Sequence, residues 1–496
     1  MHYNSTKIAA KNLRSADLGN GYYINPILGG DYPDPSVLRV GHDYYMTHSV
    51  FNYGPGLLIW HSRDLVNWEP VCNAITGYGG NIFAPEFIQH KDMFYIYYPA
   101  DKTNWVITAP SPTGPWSKPY DLKVGHIDPG HCVDPDGKRY LHLSSGYIVQ
   151  LSDDGLSVVS EEKKVYDGWQ YPVEWNVQAF SLEAPKITYK NGYYYLTVAE
   201  GGTAGPATSH MVVSSRSKTP WGPWEHSPYN PIIHTQSREE RWWSRGHGTL
   251  IDTPQGDWWI MYHAYEKGYH TLGRQTLLEP IEWTADGWFR VPEGIVVDQP
   301  IKKPMGDAIK HGLIISDNFA SNKLGLQWRF YDEHDLSRYI FDGNSIALKC
   351  KGVSPSDSSP MLCIPQNHAY ELSVALSIEG ENAEGGIVLF YNPSCYCGVG
   401  WNGNQVMRYR VSSRKLHYSD FVGKEIYLKV VNDRHEVILF YSSDGQSWIK
   451  INQVMETSGC HHNVFGGFRS FRAGLYASGK GIVRFKDFKY RGLDFK

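Results

Sequence analysis

Residues 191–198 read NGYYYLTV, an Asn-Gly turn feeding a run of aromatic and β-branched residues, which is the composition of a strand leaving a hairpin. The same signature recurs as GHDYYMT at 41–47, KDMFYIYY at 91–98, DGKRYLHL at 136–143 and QGDWWIMY at 255–262. Taking one ring of each as a marker gives Tyr45, Tyr95, Tyr140, Tyr195 and Trp259, spaced 50, 45, 55 and 64 residues apart. Between the markers, stretches such as SRDLVNWEP (62–70), SPTGPWSKP (111–119) and SKTPWGPWEHSP (217–228) carry a Trp beside a Ser-rich or Gly-Pro turn. Each unit therefore reads as several short strands in meander order, and a period near fifty is that of a propeller blade. Stacked sandwiches would not repeat one aromatic signature at this period. An all-β fold is expected, with residues 20–305 forming a five-bladed β-propeller.

The signature stops near residue 300. IKKPMGDAIKHG (301–312) reads as a linker, and beyond it lie alternating strands such as EIYLKVV (425–431) and IVRFKDFKY (482–490). The Asp-Gly pair inside EVILFYSSDGQSWIKI (436–451) marks a hairpin. Residues 314–496 are expected to form a second domain, a β-sandwich.

Composition narrows the partners. The chain has 496 residues and a formal net charge of -4, with 17 Trp and 35 Tyr. No long Lys/Arg run supports a nucleic-acid partner or an anionic membrane surface, and an uncharged polymer fits better. The seven cysteines are odd in number and dispersed, so free and mostly buried thiols are expected rather than a disulfide framework or zinc site. No apolar leader opens the given chain; that suits a cytoplasmic protein, or a periplasmic or secreted one whose leader was removed. Oligomeric state is not legible.

In a propeller the innermost strands face a common axis, so equivalent positions converge in space. Nine to twelve residues before each marker stand Asp34, Glu86, Asp128, Glu183 and His247, all ionisable. Four have a proline close by, in YPDPS, APEF, IDPG and LEAP, which fixes a backbone torsion at the mouth of the strand. Carboxylates gathered in one cleft push each other's proton affinities apart, and an acid with a second carboxylate is the equipment of glycoside hydrolysis.

These residues resemble the family 43 glycoside hydrolases over about residues 22–300, and the C-terminal part is similar to the concanavalin-like sandwich of one branch of that family. The resemblance implies an inverting, exo-acting glycosidase, a β-xylosidase or α-L-arabinofuranosidase releasing xylose or arabinofuranose from arabinoxylan-type oligosaccharides. PDPS maps the general base onto Asp34. HIDPG maps onto Asp128 the third acid, which tunes its partner and orients sugar. SLEAPKI maps the general acid onto Glu183. FAPEF implies that Phe83 and Glu86 line the pocket, and LGRQTLLEP implies Arg274 as a substrate-binding residue that steadies Asp128 or a sugar hydroxyl. RGHGTL implies His247 on the axis, beside a possible structural calcium that it reaches through water; no cofactor is required for the reaction. Two departures stand near the sugar site: Ala184 where many relatives have Gly, and Asp31 where several have His. The competing readings are a non-catalytic sugar-binding propeller and a retaining fructan hydrolase, whose Asn-Asp-Pro-Asn and Arg-Asp-Pro segments are missing here. In HHNVFGGFRSFRAG (461–474), Phe465, Phe468 and Phe471 are candidates for a lid over the site, or for the sandwich core.

Overall fold

The computed structural model describes residues 14–411 and 414–493. Five antiparallel sheets follow one another along the chain, each a meander opened by an inner strand. The inner strands are Ser36–Val40, Glu86–His90, Gly130–Val133, Glu183–Lys190 and Trp242–Asp252, opening blades I to V. Every repeat marker falls on the second strand of its blade: Asp43–Thr47, Met93–Ala100, Arg139–Leu143, Tyr193–Glu200 and Trp258–Glu266. The aromatic run thus marks the strand buried on both faces between neighbouring blades; Tyr95, Tyr140, Tyr195 and Trp259 are each at most 7% exposed.

The ring closes through its N-terminal segment. Tyr22–Tyr23 pairs with Ile301–Lys302, and the Ile27 and Leu28 amides donate to the Thr276 carbonyl of blade V. Asn25 donates to the Leu278 carbonyl and accepts from its amide. The start of the expected linker is therefore a clasp strand. Its later part is held by His311 Nδ1, which accepts from the Trp68 amide at 3.2 Å.

Residues from 316 onward build the sandwich on two long bent strands, Ala369–Asn392 and Arg472–Gly492, paired with each other along most of their length. Trp328, Leu372, Ile387, Leu475 and Phe485 lie in its core. The 436–451 hairpin forms as read, with Glu436–Ser442 antiparallel to Ile449–Glu456. All seven cysteines are free thiols, five of them buried. The last three residues assigned to this domain lie outside the described residues.

Propeller and sandwich share a core. Val50, Tyr53, Ile82, Phe87 and Tyr98 pack with Leu362, Val388, Phe390, Tyr396 and Tyr476 in one apolar cluster. Tyr53–Gly54 of the propeller even adds a short strand to the sandwich sheet beside Phe330–Tyr331. Burial on this scale fixes the sandwich against one face of the propeller. No helix among the described residues is long and apolar enough to cross a membrane.

Candidate active site

At four of the blade mouths the backbone takes the same left-handed turn: φ is 56° at Asp34, 58° at Asp128, 55° at Ala184 and 60° at His247. Aspartate and histidine tolerate this region better than most residues, and the turn swings their side chains off the strand toward the axis. Ala184 does not share that tolerance, and a methyl-bearing residue there costs about 1 kcal/mol relative to glycine. Its amide donates to Asp128 Oδ2 at 3.1 Å, which ties the mouth of blade IV to that of blade III.

Asp34 is 5% exposed and heavily bonded. Arg274 clamps it with two guanidinium nitrogens, Nη1 at 2.9 Å from Oδ1 and Nη2 at 3.3 Å from Oδ2, and Ser49 Oγ donates to Oδ2 at 2.5 Å. His247 Nδ1 stands 3.2 Å from Oδ1. His263 plays a different part: its Nδ1 accepts from the Asp34 amide at 3.1 Å, which places its proton on Nε2 beside Thr203 Oγ1. The same Nδ1 stands 3.0 Å from Asp34 Oδ1, so His263 touches both the backbone and the carboxylate of Asp34. Burial pushes the Asp34 carboxyl up, but Arg274 and then His247 outweigh it and hold Asp34 well below the usual carboxylate range.

Asp128 and Glu183 behave oppositely. Burial raises both, and like charge raises them further: Asp34 acts on Asp128, while Asp128 and then Asp34 act on Glu183. The two form a coupled pair that retains a proton where Asp34 does not. One carboxyl that favours its anion and one that favours its proton, close enough to feel each other's charge, are a base and an acid at the same pH.

The remaining expected residues divide. Phe83 packs edge-on against Phe51 at 5.8 Å, beside the clamp on Asp34. Glu86 does not line a sugar pocket: its carboxylate is buried, accepting from Lys186 Nζ at 2.5 Å, the His131 amide at 3.2 Å and Ser36 Oγ at 3.4 Å. Arg274 grips Asp34, not Asp128. Its guanidinium lies beside a stacked pair of rings, 5.5 Å from Phe51 and 5.4 Å from Phe468, whose centroids are 6.4 Å apart. Phe468 comes from the sandwich, backed by His462 at 3.9 Å, so this ring reaches the site; Phe471 is in the sandwich core and Phe465 packs beside Tyr391. Asp31 belongs to the domain joint, where it accepts from the Ser470 amide at 3.2 Å and faces Arg472 at 3.5 Å.

A cation at this point finds a poor cage. Asp34, His247 and His263 converge closely enough to hold an ion. Calcium takes six to eight oxygens, whereas this set offers two imidazoles and one carboxylate already engaged by Arg274 and Ser49. His247 Nε2 is buried without a protein partner, and burial keeps this imidazole neutral against the pull of Asp34, which suits a water's proton.

Ser49, His263, Lys186 and Phe51 were not anticipated from sequence. Ser49 and Phe51 directly follow the first aromatic strand, and Lys186 lies inside the acid motif, so position relative to the repeat was the available signal. A cleft of about 630 Å³ lies elsewhere, on the sandwich by Asp317, Glu371 and Lys489, and holds none of these groups.

The pattern defining glycosyl hydrolases family 43 spans residues 23–289, the whole propeller with its acids. The chain belongs to that family. A second match, to the β-xylosidase C-terminal concanavalin A-like domain, spans residues 316–491. This family 43 glycosidase is 29% identical to the non-reducing end α-L-arabinofuranosidase BoGH43B of Bacteroides ovatus, over 98% of the chain and 96% of the relative. It is 27% identical to a xylosidase/arabinosidase of Butyrivibrio fibrisolvens, over 94% of the chain and 98% of the relative. Among solved structures, the BlXynB protein of Bacillus licheniformis superposes with a TM-score of 0.85 at 28% identity, covering 95% of this chain and all of that one (100%).

Proposed function

We propose that this enzyme removes a terminal xylose or arabinofuranose from arabinoxylan-type oligosaccharides in a single displacement with inversion. The observation that carries the reading is the two-nitrogen Arg274 clamp on Asp34, which favours its anion, while burial and the charge of Asp128 push the Glu183 carboxyl up. Asp34, kept ionised by Arg274, takes a proton from a water on one face of the anomeric carbon. Glu183, kept protonated by burial and by Asp128, delivers its proton to the departing oxygen on the other face. Asp128 remains charged beside it and orients sugar hydroxyls. No step of this mechanism uses a metal.

Action at a chain end is supported by the sandwich, whose Phe468 and His462 crowd the Arg274 side of the site. The sugar class is supported by the relatives, which are named for xylose and arabinose. The test is product analysis on xylo-oligosaccharides, arabinoxylan oligosaccharides and nitrophenyl pentosides, with Asp34→Asn and Glu183→Gln alongside. Monosaccharide as the first product, and loss of turnover in Asp34→Asn, are expected. Early release of internal fragments, or an Asp34→Asn enzyme of undiminished rate, would overturn the proposal.

A further inference from the structure

A pair of carboxyls sharing a proton is useful as an acid only if the proton sits on the right partner. Asp128 is buried and Glu183 is half-buried within reach of its charge, and nothing in their side-chain chemistry decides which is charged. Their surroundings do.

Lys186 lies three residues beyond Glu183 on the inner strand of blade IV and is 4% exposed. Its Nζ donates to the Pro85 carbonyl at 2.9 Å, to Glu86 Oε2 at 2.5 Å and to the Pro129 carbonyl at 3.3 Å. Three acceptors require three N–H bonds, so the group is the ammonium rather than the neutral amine. The carbonyls come from the residue before Glu86 and the residue after Asp128, so this cation is pinned between the mouths of blades II and III. The Ala184 amide, from the same strand as Lys186, adds a hydrogen bond to Asp128 Oδ2. Among the described residues no hydrogen bond reaches the Glu183 carboxyl.

We propose that Lys186 is a positioning residue: its ammonium, fixed beside Asp128, keeps Asp128 the charged member of the pair and leaves the shared proton on Glu183, where the leaving group needs it. This rests on Glu183 being the acid. The charged groups around the pair support the bias. After burial and the charge of Asp34, Asp128 is pulled back down by Lys186, the Ala184 amide and Arg274. Glu183, raised by burial, Asp128 and Asp34, is pulled down by Arg274 alone. His247 also feels the ammonium, but burial keeps it neutral, so it adds no competing charge.

Removing Lys186 alone would strand the Glu86 charge in the interior, a large destabilisation in its own right. The test therefore uses Lys186→Met with Glu86→Gln, which removes both charges at similar volume. The readout is the ratio of kcat/KM for a pentosyl oligosaccharide, whose leaving oxygen must be protonated, to that for the 2,4-dinitrophenyl glycoside of the same pentose, whose leaving group departs unaided. Misplacing the proton should lower this ratio at least about tenfold, the modest end of what general acid catalysis supplies. The alkaline limb of the pH profile should also move to higher pH, because the pair gives up its last proton less readily without the nearby cation. Glu86→Gln alone keeps the ammonium and should keep the wild-type ratio. Equal losses on both substrates, or an unchanged ratio, would overturn the proposal. Glu183→Gln in parallel separates the two possible failures: if it splits the substrates and the Lys186 variant does not, only this proposal falls; if it does not split them, the acid assignment falls and takes this proposal with it.

Discussion

Replacing Arg274 by Met removes the guanidinium that clamps Asp34 while leaving a flexible, polarizable side chain beside Phe51 and Phe468. The two N–O contacts of 2.9 and 3.3 Å put the charges about 4 Å apart. At an effective dielectric near 20 that is worth about 4 kcal/mol, or about three pH units. Ser49 and His247 still favour the anion, so about two to three units is the expected rise. The lower limb of kcat/KM against pH reports ionisation of the base in the free enzyme. In the wild type it should lie well below the ordinary carboxylate range, and in Arg274→Met about two to three units higher. Stability follows the same sign. A carboxyl depressed in the folded state contributes stability above its unfolded value of about 3.9, lost as pH falls toward the folded value. In the variant most of that contribution disappears. The assay is a nitrophenyl pentoside pH series, with thermal melts confirming a folded variant. A lower limb within about half a unit of wild type would refute the clamp as the reason Asp34 is ionised.

Asp128→Asn removes the largest like-charge contribution to Glu183, so the upper limb of the pH profile should move to lower pH; an unmoved limb would remove Asp128 from that role. Phe468→Ala loses one of the two rings beside Arg274, a cation–π contact worth about 1–2 kcal/mol when desolvated, and should lower kcat/KM about fivefold to thirtyfold with little change in melting temperature. Ala184→Gly relieves a left-handed alanine and should raise stability by about 0.5–1 kcal/mol in denaturant titration; a loss of that size would mean the turn is not strained.

The propeller was legible because its second strands are largely buried between neighbouring blades, and a strand so placed is rich in aromatic and apolar residues. The three acids were legible for a related reason, since each precedes its marker by a nearly constant interval. What escaped was chosen by three-dimensional neighbours. Glu86 shares the register of the catalytic candidates yet bonds Lys186, a partner that blade IV brings to it only in the folded ring. Arg274 could be assigned to the site but not to Asp34, since the two are far apart in sequence and meet only when blade V closes on blade I. Phe468 required knowing that the sandwich packs on the propeller's catalytic side, which alternating strands do not encode. Asp31 looked like a sugar-site residue by proximity to Asp34, but its side chain faces the domain joint instead.

The most direct measurement is ¹H NMR of the sugar in the first minutes of hydrolysis of a β-xyloside or α-L-arabinofuranoside, before mutarotation. If an ionised Asp34 activates water opposite a protonated Glu183, the first product carries the anomeric configuration opposite to the substrate's. Product of the same configuration would mean a covalent intermediate, and Asp34 would then be a nucleophile or a bystander rather than a base.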